Sequence, residues 1–376
     1  MFIRSHYLLW YVSPMKDRVL RIFSKLAEPV DAIMLVNDEE PIADASFFHA
    51  TGAVSGLFEN CSAFLYPDGG MKLITTRLEE TSARSTPAEV LPYFTPAERA
   101  ELMRSSLKGV ARLGINSSAI TYHWVKEIKA VAPGIELVDT ASALIAARLV
   151  KDKVEIEAMR EACRIASRVA DRIPDLVQVG MAEYEAAAEI GYQMQRLGAS
   201  SVSFETIAAF GPPSAEPHHS PDHTRLKEGD AALFDFGCKV RRYCSDITRT
   251  FFAGWADERM MRMYEVVLEA QRRAIEAVRP GALAREIDEA ARSYIDSTEL
   301  KGTLIHSTGH SLGINVHDGA RLAPGSELVL EEGMAFTIEP GTYVPGVGGV
   351  RIEDDVVVTR NGCELLTDAS KELRVI

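Results

Sequence analysis

The stretch DFGCKVRRYCSDITRT, residues 235–250, decides how this chain reads. It continues the apolar run Ala231-Ala232-Leu233-Phe234, so one strand carries Asp235 and its return strand carries Asp246. With the tightest point of the hairpin at Val240-Arg241, the two aspartates are expected to face each other across the ladder. Directly opposed like charges destabilise a sheet, so something must compensate for them.

The situation recurs further on. Phe336-Thr337-Ile338-Glu339 enters a Gly/Pro-rich turn at residues 345–349, and Val350-Arg351-Ile352-Glu353-Asp354 returns. One such acid is ordinarily a solvated strand residue. Paired acids in two hairpins read instead as a cation site, and four carboxylates plus a histidine balance about two hard divalent ions. The Gly-punctuated loop of a structural calcium site is absent. Histidines gather in the same regions: His218 and His219 follow Gly211-Pro212-Pro213, and His306, His310 and His317 lie among glycines and small polar residues, where backbone approaches a ligand closely.

Around these motifs the chain has the composition of a globular protein, with 47% hydrophobic and 25% charged residues over 376 positions, enough for two domains. A net charge of −13 gives no basic footprint for nucleic acid or anionic lipid, so neither is expected as a partner. No apolar run reaches the ~20 residues of a membrane span, and Tyr7–Val12 is too short for a signal core, so a cytoplasmic location is expected. Five irregularly spaced cysteines lack a Cys-x-x-Cys pair and read as free thiols. Residues 1–14 read either as an extension before a start at Met15 or as an ordinary first strand.

Residues 18–145 alternate strands (32–36, 61–66, 71–76, 112–115) with helical segments. The pattern then turns helical, with a charged interruption at Lys151-Asp152-Lys153, which places a domain boundary near 149. Helices at about 154–172 and 182–197 precede strands to 253. Helices at about 256–278 and 283–297 again precede strands, so the architecture reads as duplicated.

Together these motifs resemble the pita-bread metallopeptidases: prolidases, aminopeptidases P and methionine aminopeptidases. The resemblance implies an α/β (α+β) chain, with a creatinase-like N-terminal domain over 1–148 and a pita-bread catalytic domain over 149–376. Duplicated helix pairs and antiparallel strands give the latter a pseudo-two-fold axis. Asp235, Asp246 in Tyr-x-Ser-Asp-x-Thr-Arg-Thr, His310 in Gly-His-x-x-Gly, Glu339 in Thr-Ile-Glu-Pro-Gly and Glu353 in Gly-Val-Arg-Ile-Glu-Asp match the family's five metal ligands. By the same resemblance Glu339, His218 and His317 are catalytic, and His306, Arg321 and Arg351 serve the substrate side, Arg351 by orienting a ligating acid. Asp318 stands where glutamate usually follows the histidine, and Ser311 where glycine or tryptophan is common; both leave the subfamily open.

The implied reaction is hydrolysis of Xaa-Pro bonds by a hydroxide shared between two divalent ions about 3.5 Å apart. Mn²⁺ or Co²⁺ fits the carboxylate-rich set ahead of Zn²⁺ or Fe²⁺. Arg321 resembles the clamp for a dipeptide's C-terminal carboxylate and favours a prolidase. Aminopeptidase P acting on longer peptides is the alternative, and a non-peptidase hydrolase or lyase on the same fold is a further one. The resemblance also implies a homodimer in which the N-terminal domain caps the partner's site. A fragment of residues 150–376 is therefore expected to keep its metal affinity, measured by titration calorimetry, while losing substrate selectivity or solubility. Unchanged selectivity would refute the capping role.

Overall fold

Apolar alternation makes 231–236 a strand, but what fixes its partner is the turn. Arg241 and Arg242 both have positive φ, 48° and 74°, the two-residue turn whose twist matches that of the flanking strands. The tip therefore lies one residue later than the sequence implied. Asp235 pairs with Thr248, and Asp246 becomes its diagonal neighbour rather than its direct opposite. Both carboxylates remain on one face, because the side-chain period is two.

The computed structural model describes residues 3–38 and 43–376 and, within the first helix, the side chains from Pro14 onward. The chain divides into two units, Met1–Arg148 and Leu149–Ile376. The first runs α1 (Ile3–Ser24), β1 (Ala32–Asn37), α2 (Ala45–Thr51), β2 (Cys61–Leu65), β3 (Met71–Thr76), α3 (Glu80–Ala83), β4 (Glu89–Tyr93), α4 (Pro96–Ser106), β5 (Arg112–Ile115), α5 (Tyr122–Val131), β6 (Glu136–Asp139) and α6 (Ala141–Leu149). Its six-stranded mixed sheet has the order β4-β3-β2-β1-β5-β6. The segment before Met15 belongs to a helix, not to a first strand: Met15, Val19 and Ile22 recur at helical spacing and are buried. Met1 and Phe2 lie outside the described residues.

The second unit contains α7 (Lys153–Ala170), α8 (Ile173–Leu176), α9 (Glu183–Arg196), β7 (Ser201–Val202), β8 (Ile207–Phe210), β9 (Ala231–Phe236), β10 (Cys238–Val240), β11 (Tyr243–Cys244) and β12 (Ile247–Phe252). It continues with α10 (Glu258–Ala277), α11 (Ala284–Asp296), β13 (Gly309–His310), β14 (Arg321–Leu322), β15 (Ala335–Ile338), β16 (Gly341–Val344), β17 (Gly348–Arg351), β18 (Asp354–Thr359) and β19 (Gly362–Leu365). α7 starts at the charged interruption because Asp152 and Glu155 form a reciprocal capping box. Its stripe of Ala162, Ala166 and Val169 packs, with Ile190 of α9, on Phe210, Phe234 and Ile247 of the sheet β12-β9-β8. In the second half, Val267 and Ala274 of α10 and Ile287 of α11 bury against Phe336, Val356 and Val358 of β15-β18-β19. Helix pair on antiparallel sheet thus occurs twice. No described helix is long and apolar enough to cross a membrane.

The left-handed tip has a measurable cost. Arg241→Asn suits the turn, whereas a β-branched residue there is strained. In urea denaturation Arg241→Asn is expected to exceed Arg241→Val in stability by about 1–2 kcal/mol, with both losing the same half-exposed contact to Glu161.

Candidate active site

Two glycines let backbone approach where the acids converge. A Cβ on Gly237 would lie 1.8 Å from the Ser245 carbonyl oxygen, and one on Gly309 would lie 1.9 Å from that of Thr337. At Asp246, Glu339 and Glu353 the hairpin pattern gives way. The Asp246 amide donates to Asp355 Oδ2 (2.9 Å), the Glu339 amide to the Thr308 carbonyl (2.8 Å), and the Glu353 amide to the Thr248 carbonyl (3.1 Å). Glu339 and Glu353 fall in the gap between two ladders, bracketed by the pairs Ile338–Asp354 and Gly341–Arg351. They therefore lie just outside strands, as does Asp246.

The structure brings the ten candidate metal, catalytic and substrate residues to one cavity: Asp235, Asp246, His310, Glu339 and Glu353, with His218, His306, His317, Arg321 and Arg351 around them. Ligand atoms of Asp246, His310 and Glu353 lie within 4.8 Å of one another. His310 Nε2 is 3.4 Å from Glu339 Oε1 and 3.6 Å from Asp246 Oδ2. The rings of His310 and His317 meet edge to face with centroids 4.3 Å apart. Phe204, Ile207 and Val316 supply an apolar wall.

Not all of these side chains face the cavity in the same way. Arg351 spends its donors on protein: Nη2 on Asp235 Oδ2 (2.5 Å), Nη1 on the Tyr343 hydroxyl (2.8 Å) and Nε on Thr248 Oγ1 (3.1 Å). Both nitrogens of His306 are likewise engaged, Nε2 with the Tyr343 hydroxyl and Nδ1 with the Ser307 carbonyl, each at 2.8 Å. Arg321 is different. It is exposed, pairs in register with His310 across β13-β14, and has no hydrogen bond or ion pair among the described residues.

The sequence reading missed Tyr343, which links His306 to Arg351. It also missed Asp355, whose Oδ2 accepts from the Asp246 amide and from Cys163 Sγ (3.2 Å), and Asp288, whose carboxylate receives the Thr308 amide and hydroxyl at 3.0 Å each. The acidic doublet after Glu353 in an apolar strand, and the Asp288/Arg292 pair one helical turn apart, were the available signals.

Burial sets the electrostatics. Burial and then the charge of Glu353 push Asp246 well above the carboxylate range, and burial with the charge of Glu339 does the same to Glu353. Burial raises Glu339 to about 7 despite the opposing Arg351 charge. Burial, reinforced by His317, lowers His310 to about 3, so its imidazole is neutral and available as a ligand. Asp235 Oδ1 and Asp246 Oδ1 are buried acceptors with no hydrogen-bond partner among the described residues. Crowded carboxylates, unpartnered oxygens and a neutral imidazole fit a divalent cation centre.

The metal-free protein holds the Glu339 proton more tightly than the unfolded chain does. Its stability therefore falls as pH rises from about 4.3 to about 7. A divalent ion bound at this cluster would take the place of that proton. The rise in Tm on adding Mn²⁺ is thus expected to be larger near pH 8 than near pH 5.5, roughly either side of the Glu339 value, and Glu339→Gln should flatten the difference. Equal shifts at both pH values in scanning calorimetry would place binding elsewhere.

Comparison with known proteins bears on both units of the chain. The family model for "Metallopeptidase family M24" matches residues 157–360, and that for "Creatinase/Prolidase N-terminal domain" matches residues 18–150. An Xaa-Pro dipeptidase of Pyrococcus horikoshii is 39% identical over 268 residues, 71% of this chain and 76% of its own. The solved structure of an Xaa-Pro dipeptidase from Bacillus anthracis superposes with a TM-score of 0.88 at 31% identity, covering 97% of this chain and 100% of that one. An X-Pro aminopeptidase structure from Thermotoga maritima gives 0.89 at 29% identity, covering 96% and 100%.

Proposed function

Since the chain belongs to metallopeptidase family M24, we propose that it is a metal-dependent prolidase that hydrolyses Xaa-Pro dipeptides, with the chemistry in residues 149–376 and residues 1–148 capping the partner's site in a homodimer. The fold alone does not choose between the two activities, because dipeptidase and aminopeptidase structures match equally well. The observation that carries the choice is Arg321: an uncommitted guanidinium opposite His310, placed to take a dipeptide's C-terminal carboxylate in a two-pronged charge-assisted contact.

Asp235, Asp246, His310, Glu339 and Glu353 would hold two divalent ions, Mn²⁺ or Co²⁺. Bound there, the ions supply Lewis-acid activation of water and of the scissile carbonyl. The protein's own groups do the rest. Glu339 Oε1 accepts from Thr337 Oγ1 (3.2 Å) and faces His310, which leaves Oε2 to take a proton from the attacking water and pass it to the leaving nitrogen. His317, lowered by burial and then by Arg321, is neutral and can donate an N–H to the developing oxyanion; His218 offers a second donor at the rim. An Xaa-Pro bond has no amide hydrogen, so ring shape is read by the apolar wall of Phe204, Ile207 and Val316. Arg351 and His306 act by holding Asp235 and Tyr343 in place. A cytoplasmic homodimer completes this reading.

Replacing Arg321 separates the two activities. Loss of a charge-assisted contact of about 1.5–3 kcal/mol should raise KM for an Xaa-Pro dipeptide roughly 10- to 100-fold in Arg321→Ala, with little change for Xaa-Pro-Yaa tripeptides. Metal-restored release of proline from the dipeptide alone identifies a prolidase. Cleavage mainly of the tripeptide makes the enzyme an aminopeptidase P, and neither activity with two ions bound makes the substrate wrong.

A further inference from the structure

His218 lines the cavity from an exposed loop, yet it makes no hydrogen bond among the described residues that would fix it there. Its neighbour is fixed firmly. His219 turns away from the cavity and places Nε2 2.7 Å from Glu183 Oε2. Glu183 is the first residue of α9 and is fully buried. The same carboxylate collects two more donors, the Phe210 amide on Oε1 (2.8 Å) and the Asp222 amide on Oε2 (3.1 Å). One buried side chain thereby ties the end of β8, the middle of the loop at His219 and its far side at Asp222 to the start of α9. β8 in turn pairs with β9, Ile207 lying opposite Asp235, so the loop is referenced to the strand that carries an acid of the cluster.

We propose that Glu183 and His219 are positioning residues that hold the 211–223 loop so that His218 faces the substrate. The proposal rests on the reading of His218 as a substrate-side donor. Chemistry favours a clamp over a second metal site, because every oxygen of Glu183 already has a donor and the Asp222 carboxylate accepts from the Thr224 amide at 2.6 Å. Burial works against an imidazolium at His219. The hydrogen bond to Glu183, with the charges of Glu183 and Glu216, nonetheless holds its pKa above the ordinary histidine value, as an ion-paired clamp requires. Of these two adjacent histidines, one ring lines the cavity and the other reaches the anchor.

The test is a double-mutant cycle on the Mn²⁺-loaded full chain, with an Xaa-Pro dipeptide as substrate and metal affinity measured separately by calorimetry. His219→Ala should lower kcat/KM about tenfold, the scale expected from misplacing a group by a fraction of an ångström, and leave metal affinity unchanged. In a His218→Ala background the same change should cost less than about twofold, since the group being positioned is gone. His219→Gln, which keeps an N–H for Glu183, should recover most of the loss. Glu183→Gln keeps the side chain's size and its bond to the Phe210 amide, and it replaces His219→Ala in the cycle if that variant does not fold. Wild-type activity in His219→Ala, or a loss fully additive with His218→Ala, would overturn the clamp. An unimpaired His218→Ala would instead remove the role given to His218, and the clamp's catalytic purpose with it.

Discussion

The guanidinium of Arg249 joins the two halves of the second unit. It is almost wholly buried and donates to the carbonyls of Thr248 (3.0 Å), Glu353 (2.6 Å), Ala369 (2.8 Å) and Ser370 (3.0 Å), and to Asp354 Oδ1 (2.8 Å). Arginine cannot discharge itself by losing a proton, so this planar set of donors must be matched as it is by carbonyls and a carboxylate. Breaking such a buried pair from one side costs about 3–5 kcal/mol, because the remaining charge has nowhere to go. The match brings β12 beside the segment that enters β18, and Thr248 Oγ1 can then donate to Glu353 Oε2 (2.7 Å).

Adjacent acids consequently have opposite electrostatics. Asp354 receives Arg249, Lys371 Nζ (2.8 Å), Gln271 Nε2 (3.0 Å) and Thr367 Oγ1 (2.8 Å), and the two cations, Arg249 and Lys371, hold its carboxyl low in spite of burial. Glu353, one residue earlier, is pushed high by burial and then by the acids around it. The first carboxylate secures the fold with protein charges. On the function proposed above, the second would be left to a bound cation, and that difference would separate a structural acid from a ligand.

Much of this was legible in the sequence because the relevant signals are local. Strand alternation, the two acid-bearing hairpins, the helix pairs and the histidine cluster all follow from nearest neighbours, and Asp235, Asp246, Glu339 and Glu353 all line the cavity. The register of the first hairpin was not legible, since nothing in two arginines announces a turn that normally favours asparagine and glycine. The helix before Met15 was obscured by an aromatic run with strand propensity. Supporting residues such as Tyr343, Asp355 and Asp288 escaped because they act through partners distant in sequence. The Asp355 contact with the Asp246 amide spans 109 positions.

That span has a consequence for the order in which the protein is made. The acids of the first hairpin leave the ribosome long before His310, Glu339 and Glu353, and their final geometry depends on amide bonds that close only when the last strands dock. Non-local closure of this kind comes late in folding. An ion meeting the nascent chain would find scattered carboxylates, so a centre held by these residues would be completed only after the polypeptide has folded.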